Sequence, residues 1–171
     1  MSVVNAERAA RIVQDAGGEI IGRARLQKTA YLLKIAGLED GFSFVYKHYG
    51  PFSEDLADAA RDAGLLGLLR ESEERAAWGG RYSVFSVDGA TGADGPPARR
   101  ELAREAAASD AIELELAATA VYLAGEGCAD PWTETERRKP QKAEDGRIER
   151  AKALLRRLAA IAAPQPLPQI A

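Results

Sequence analysis

The chain has 171 residues, 46% of them apolar, 29% charged and 6% aromatic, with a net charge of −3. That is enough for one domain with a real core and too apolar for a disordered chain. A single cysteine, Cys128, excludes an internal disulfide and fits a reducing cytoplasm.

Ala6 to Gln14 predicts a first helix with Ala9, Ala10, Ile12 and Val13 inward, stopped by Gly17-Gly18. Glu19-Ile20-Ile21-Gly22 reads as a short link. Arg23 to Ala36 is the second predicted helix, with a broad apolar face built on Leu26, Ala30 and Leu33. Phe42 to Lys47 alternates and is rich in β-prone residues, so a strand is expected there. Gly50-Pro51 breaks it. Ser53 is a good N-cap, and Glu54 and Asp55 suit the positive end of a third helix running to about Ala63.

Arg81 to Val87 alternates as a strand, and Gly79-Gly80 before it predicts a hairpin with Leu68 to Glu73. The strands at 42–47, 68–73 and 81–87 are expected to form one small antiparallel sheet. Residues 89–97 read as a flexible loop rich in Gly and Pro, dividing an N-terminal half (1–88) from C-terminal helices (98–163) of one domain. Residues 98–108 predict a polar, Ala-rich helix. Asp110 caps the next, with Glu113 placed as in a capping box, and Thr133 with Glu136 offers the same signal for a short helix that Lys139-Pro140 ends. Glu144 to Ala163 repeats apolar residues at three and four. Pro164, Pro166 and Pro168 predict a disordered tail over 164–171. The expected fold is mainly α, a compact helical domain with a small antiparallel β element.

The chemistry-bearing signals are sparse. No apolar run approaches the roughly 18 residues needed to span a bilayer, and Met1 to Asp15 lacks the build of a signal peptide, so a cytoplasmic protein without membrane contact is expected. No Gly-rich phosphate loop, paired-carboxylate motif or Cys/His metal spacing is present, and no cofactor or metal is expected. His48 is the only histidine, set among Tyr46, Lys47, Tyr49 and Ser53. An enzyme or nucleotide binder would have to draw on His48, Lys28, Tyr31 and Arg138. Trp132 is either a core plug or an exposed anchor, and the core is favoured because large aromatics are few here and each must fill space.

Charge is uneven. Residues 137–157 hold nine basic residues against three acids, and residues 1–136 carry −9. The Arg137-Arg138-Lys139 triplet with Lys142 either faces an anionic partner or closes onto Glu54, Asp55, Asp58 or other acids of the N-terminal half, and the second is favoured.

Three helices followed by a hairpin is the order of a winged-helix module, which makes the N-terminal part winged-helix-like and keeps DNA binding open. The third helix, with Glu54, Asp55, Asp58 and Asp62 against Arg61 alone, would repel phosphates.

Leu26-Gln27-Lys28 with Tyr31-Leu32-Leu33, then Tyr49-Gly50-Pro51-Phe52-Ser53 with Leu56, resembles the Panacea-type domain of bacterial antitoxins. It is closer still to the YwgA-like group of uncharacterised bacterial proteins. Glu113 to Thr119 with Tyr122-Leu123, and Trp132 followed by Arg138-Lys139-Pro140, extend the resemblance over most of residues 5–160. It implies a compact helical fold with a small β element and a role in toxin neutralisation or phage defence by direct protein contact, without catalysis. The expected partner is a protein, a toxin among the candidates. The residues carried forward as contacts are Lys28, Tyr31, His48, Tyr49, Trp132, Arg137, Arg138 and Lys139, with Gln27, Gly50, Pro51 and Ser53 as the structural motif.

Overall fold

The computed structural model describes residues 1–88 and 95–171. The predicted loop therefore lies mostly outside the described residues. Elements follow in the order α1 (Val3–Asp15), β1 (Glu19–Ile21), α2 (Arg23–Ile35), β2 (Val45–Lys47), β3 (Gly50–Phe52), α3 (Glu54–Leu65), β4 (Arg70–Arg75) and β5 (Arg81–Ser86). Four helices complete the chain: α4 (Pro97–Ala108), α5 (Ala111–Gly125), α6 (Pro131–Arg138) and α7 (Arg147–Ala159). The fold is mainly α with a small antiparallel β element, as the periodicities predict.

Two helices form the centre. Every residue of α2 from Leu26 to Leu33 is buried, and α5 is buried almost without a break from Leu114 to Val121. A helix covered on all sides needs no polar stripe, which is why neither shows the one-sided pattern of a surface helix. Alanines let helices approach closely: Ala6 and Ala9 of α1 are buried, as are Ala59, Ala60 and Ala63 of α3, against which α1 packs. One apolar core draws on both halves of the chain, from Ala6 to Leu167.

The strand expectations need correction. The described residues form two β elements, not one sheet. Strand β5 pairs antiparallel with both β4 and β1, giving the order β1-β5-β4. The supposed link at 19–21 is thus a strand: Ile20 is buried opposite Phe85 while its neighbours point outward. The segment at 42–47 does not join this sheet. Only Val45–Lys47 is extended, and it folds back on Gly50–Phe52 through the His48-Tyr49 turn. The short distance from Lys47 to the Gly50-Pro51 break leaves room for a local hairpin and nothing longer.

Neither predicted capping box forms: the first keeps its cap but not the reach-back, and the second is displaced from Thr133 altogether. Asp110 caps α5 alone, accepting from the N–H groups of Ile112 and Glu113, while the Glu113 carboxylate turns to Arg150 at 3.0 Å. Helix α6 is capped by Asp130, which accepts from Thr133. The tail expected to be disordered is packed: Leu167 is buried, and the Gln165 N–H donates to the Ala36 carbonyl at 3.0 Å. Alternate prolines already restrict this segment, so anchoring its apolar residues loses little further entropy.

A buried ion cluster ties α4 to α1. Arg99 donates to Asp15 and to the Leu38 carbonyl, and lies 3.2 Å from Glu39. No helix among the described residues is long and apolar enough to cross a membrane.

Candidate functional site

The Gly50-Pro51 turn lies over the junction of the two central helices, and three side chains hold it through its backbone. Gln27 makes a two-way bond with Ser53: its amide donates to the Ser53 carbonyl at 2.9 Å and its oxygen accepts the Ser53 N–H at 2.9 Å. Ser53 in turn caps α3, its hydroxyl accepting from the Leu56 N–H at 3.1 Å. The next residue of α2, Lys28, donates through Nζ to the Pro51 carbonyl at 2.9 Å. Lys139, just after α6, donates to the His48 carbonyl at 2.9 Å. Gly50 itself has φ +89°, in the left-handed region, and a Cβ there would lie 2.8 Å from the Thr119 hydroxyl. Glycine is required twice over, by the backbone angle and by the close approach to α5.

The charges beneath the turn converge on one carboxylate. Glu115 of α5 is 4% exposed. It accepts from Lys142 at 2.7 and 2.9 Å and pairs with Lys139 at 3.0 Å. Lys28, 1% exposed, sits in the field of the same three groups. Burial lowers the Lys28 pKa to about 8; Glu115 opposes that shift, and Lys139 and Lys142 reinforce it.

A pH dependence follows. Lys28 binds its proton less tightly folded than unfolded, so between its folded value of about 8 and the ordinary 10.5 the unfolded chain holds more protons. Stability contributed at this site rises with pH across that window. Against a Lys28→Met variant, the wild type should gain on the order of 1–2 kcal/mol between pH 7 and 9.5 in urea unfolding. A difference that stays flat with pH would remove the buried charge from the account. The Tyr31 phenol, pushed up by burial, keeps its proton in the fold, and its effect on stability is lost only above pH 10.

Above the turn the face is aromatic and cationic. The Arg138 guanidinium lies 5.1 Å from the Tyr46 ring centre, Lys139 5.8 Å from the same ring, and Lys142 4.5 Å from that of Tyr49. Arg137 and Arg138 share Glu134, whose pKa their hydrogen bonds pull down to about 2. Tyr46, Lys47, His48, Arg138 and Lys139 line an open concavity.

The structure therefore gathers Lys28, His48, Tyr49, Arg138 and Lys139 around one turn. His48 and Tyr49 are exposed, as is Arg137. Lys28, Tyr31 and Trp132 are buried and do not form an outer surface; Trp132 is the core plug. The basic triplet does not reach Glu54, Asp55 or Asp58. Glu54 pairs with Lys47 and Asp58 with Arg61, while the basic segment closes onto acids of the C-terminal half: Glu115, Glu134, Glu113 and Glu105. Those acids lie on helices packed beside it, whereas α3 packs on α1.

Reading the sequence alone set Lys142 beside the basic triplet but missed Glu115 and Thr119 as members of the site. Glu115 had a signal: it is a lone acid amid Leu114, Leu116, Ala117 and Ala118, and a carboxylate inside an apolar run needs a partner. Among the described residues no group of three or more His, Cys, Asp and Glu is placed to hold a metal ion.

The class defined by these features is a mainly α protein whose β hairpin is pinned over a buried lysine and glutamate cluster. Over 58 residues the chain is 38% identical to the uncharacterised protein YwgA of Bacillus subtilis (strain 168), a match covering 34% of this chain and 35% of YwgA. The chain thus spans about a third of the length of this curated relative. No family model matches the chain, and no solved structure does.

Proposed function

We propose that this chain is a non-enzymatic interaction protein, antitoxin-like, that acts by direct contact with a protein partner through the β2–β3 hairpin and α6. One observation carries the reading: Gln27, Lys28 and Lys139 all bond to the backbone of the turn. Groups engaged in that way position a surface and leave little to act on a substrate. What they position is Tyr46, Lys47, His48 and Tyr49, and aromatic tips on a preorganised loop suit protein recognition. The resemblance to Panacea-type antitoxins points to a toxin as the partner. The test is co-expression with the product of the adjacent gene. A complex that survives purification and relieves any growth defect is expected, and a Tyr49→Ala, His48→Ala double variant should fold normally but fail to form it. A double variant that binds as the wild type does would remove this face from the interaction.

A winged-helix regulator is the second reading, and the topology favours it. The order α1, β1, α2, α3, β4, β5 with strands arranged β1-β5-β4 is the connectivity of a winged helix carrying the β2–β3 hairpin as an insert between α2 and α3. Charge opposes it: α3 holds Glu54, Asp55, Asp58 and Asp62, and of the three arginines of the β4–β5 hairpin two are paired, Arg81 with Glu73 and Arg70 with Asp88. Salt-dependent binding to one duplex sequence would establish this reading over the first.

A further inference from the structure

We infer that the concavity between the β2–β3 hairpin and α6 takes an acidic segment of the partner protein, whose carboxylates complete the cationic cluster. The inference rests on the protein-contact reading above and names the chemistry of the partner. Three lysines, Lys28, Lys139 and Lys142, surround Glu115 alone. Two arginines, Arg137 and Arg138, share Glu134. Five cations against two carboxylates leave a local surplus of +3 in a chain whose net charge is −3.

Part of that surplus is buried. Lys28 is 1% and Lys139 6% exposed, and uncompensated charge in such a place is costly unless something shares it. Backbone carbonyls and the Tyr46 ring share it in the free protein. A carboxylate entering the concavity would meet Arg138, Lys139 and His48, which line it, together with Lys47, which it would share with Glu54. Arg138 lies against Tyr46, which holds its planar group in place for a carboxylate to approach.

The extent of the surplus selects the occupant. A nucleic-acid duplex presents a continuous run of phosphates, and α3, which begins directly after the hairpin, would set Glu54, Asp55, Asp58 and Asp62 against them. A short acidic segment needs only the concavity.

The test is fluorescence anisotropy with the full chain and three probes: a labelled peptide of alternating Glu and Ser, its Gln and Ser counterpart, and random-sequence duplex DNA. The Glu peptide should bind, weaken as salt rises and bind far more tightly than the Gln peptide. Arg138→Glu and, separately, Lys47→Glu should weaken it about tenfold or more while the chain still folds cooperatively, since the pairs they break with Glu134 and Glu54 lie at the surface and add little to stability. Failure of the Glu peptide to bind, equal binding to the variants, or tighter binding of the duplex would each overturn the inference. If the adjacent-gene product binds the wild type and Arg138→Glu alike, the acidic-segment inference fails while the protein-contact reading stands. If the Glu peptide binds as described and no protein complex forms, the reverse holds.

Discussion

Replacing Glu115 by Gln should lower the free energy of unfolding by about 3–5 kcal/mol, the range seen when one partner of a buried ion pair is removed. The side chain keeps its shape, so packing is unchanged. What is lost is the only carboxylate among the described residues that faces Lys28, Lys139 and Lys142. Those three cations would repel one another without a counter-charge. Adding Lys142→Met should restore part of the loss, because it removes one of the unbalanced charges and is the most exposed of the three. Glu115 also opposes the lowering of the Lys28 pKa, so in the variant Lys28 should release its proton below pH 8. Urea unfolding followed by circular dichroism measures all of this. A loss under about 1 kcal/mol for Glu115→Gln would show that the cluster is solvated rather than buried.

Gly50→Val should destabilise the protein by about 3 kcal/mol, through two separable effects. The backbone at φ +89° is strained for any residue with a Cβ, most of all a β-branched one. The added Cβ also meets the Thr119 hydroxyl at 2.8 Å. Thr119→Ala removes that oxygen, which is buried and has no hydrogen-bond partner among the described residues. The double variant should therefore recover the clash and keep the backbone strain. His48→Ala, at an exposed position, should cost much less than Gly50→Val. An unchanged melting temperature for Gly50→Val would contradict the turn's role.

Sequence periodicity served well where one physical signal dominated. Helices α1, α3 and α7 have one buried stripe, and their apolar residues recur at three and four, so their existence could be read directly. Ser53 as the cap of α3 and Trp132 as a core residue were legible for similarly local reasons. Strand pairing was not. Ile20 is a single buried residue in a three-residue strand, too short to show alternation, and its partner Phe85 is far away in sequence. The β2–β3 hairpin was hidden because glycine and proline were read as ending a strand when they form its partner.

The site was legible in its backbone half. Gly50, Pro51 and Ser53 were marked out by a turn and cap signal, and Gln27 and Lys28 by the family resemblance. Its electrostatic half was only partly visible. Summed charge showed that a basic segment needed acids, but α6 and the segment leading to α7 reach Glu115 and Glu134 because of how α5, α6 and α7 pack. Nothing in a charge count distinguishes those acids from Glu54 or Asp58.

Hydrogen exchange of the chain alone and with the co-expressed adjacent-gene product measures the central claim most directly. The account predicts added protection at residues 45–52 and 131–142, with the β4–β5 hairpin and α3 unchanged. Protection confined to α3 and the β4–β5 hairpin, leaving 45–52 untouched, would contradict it.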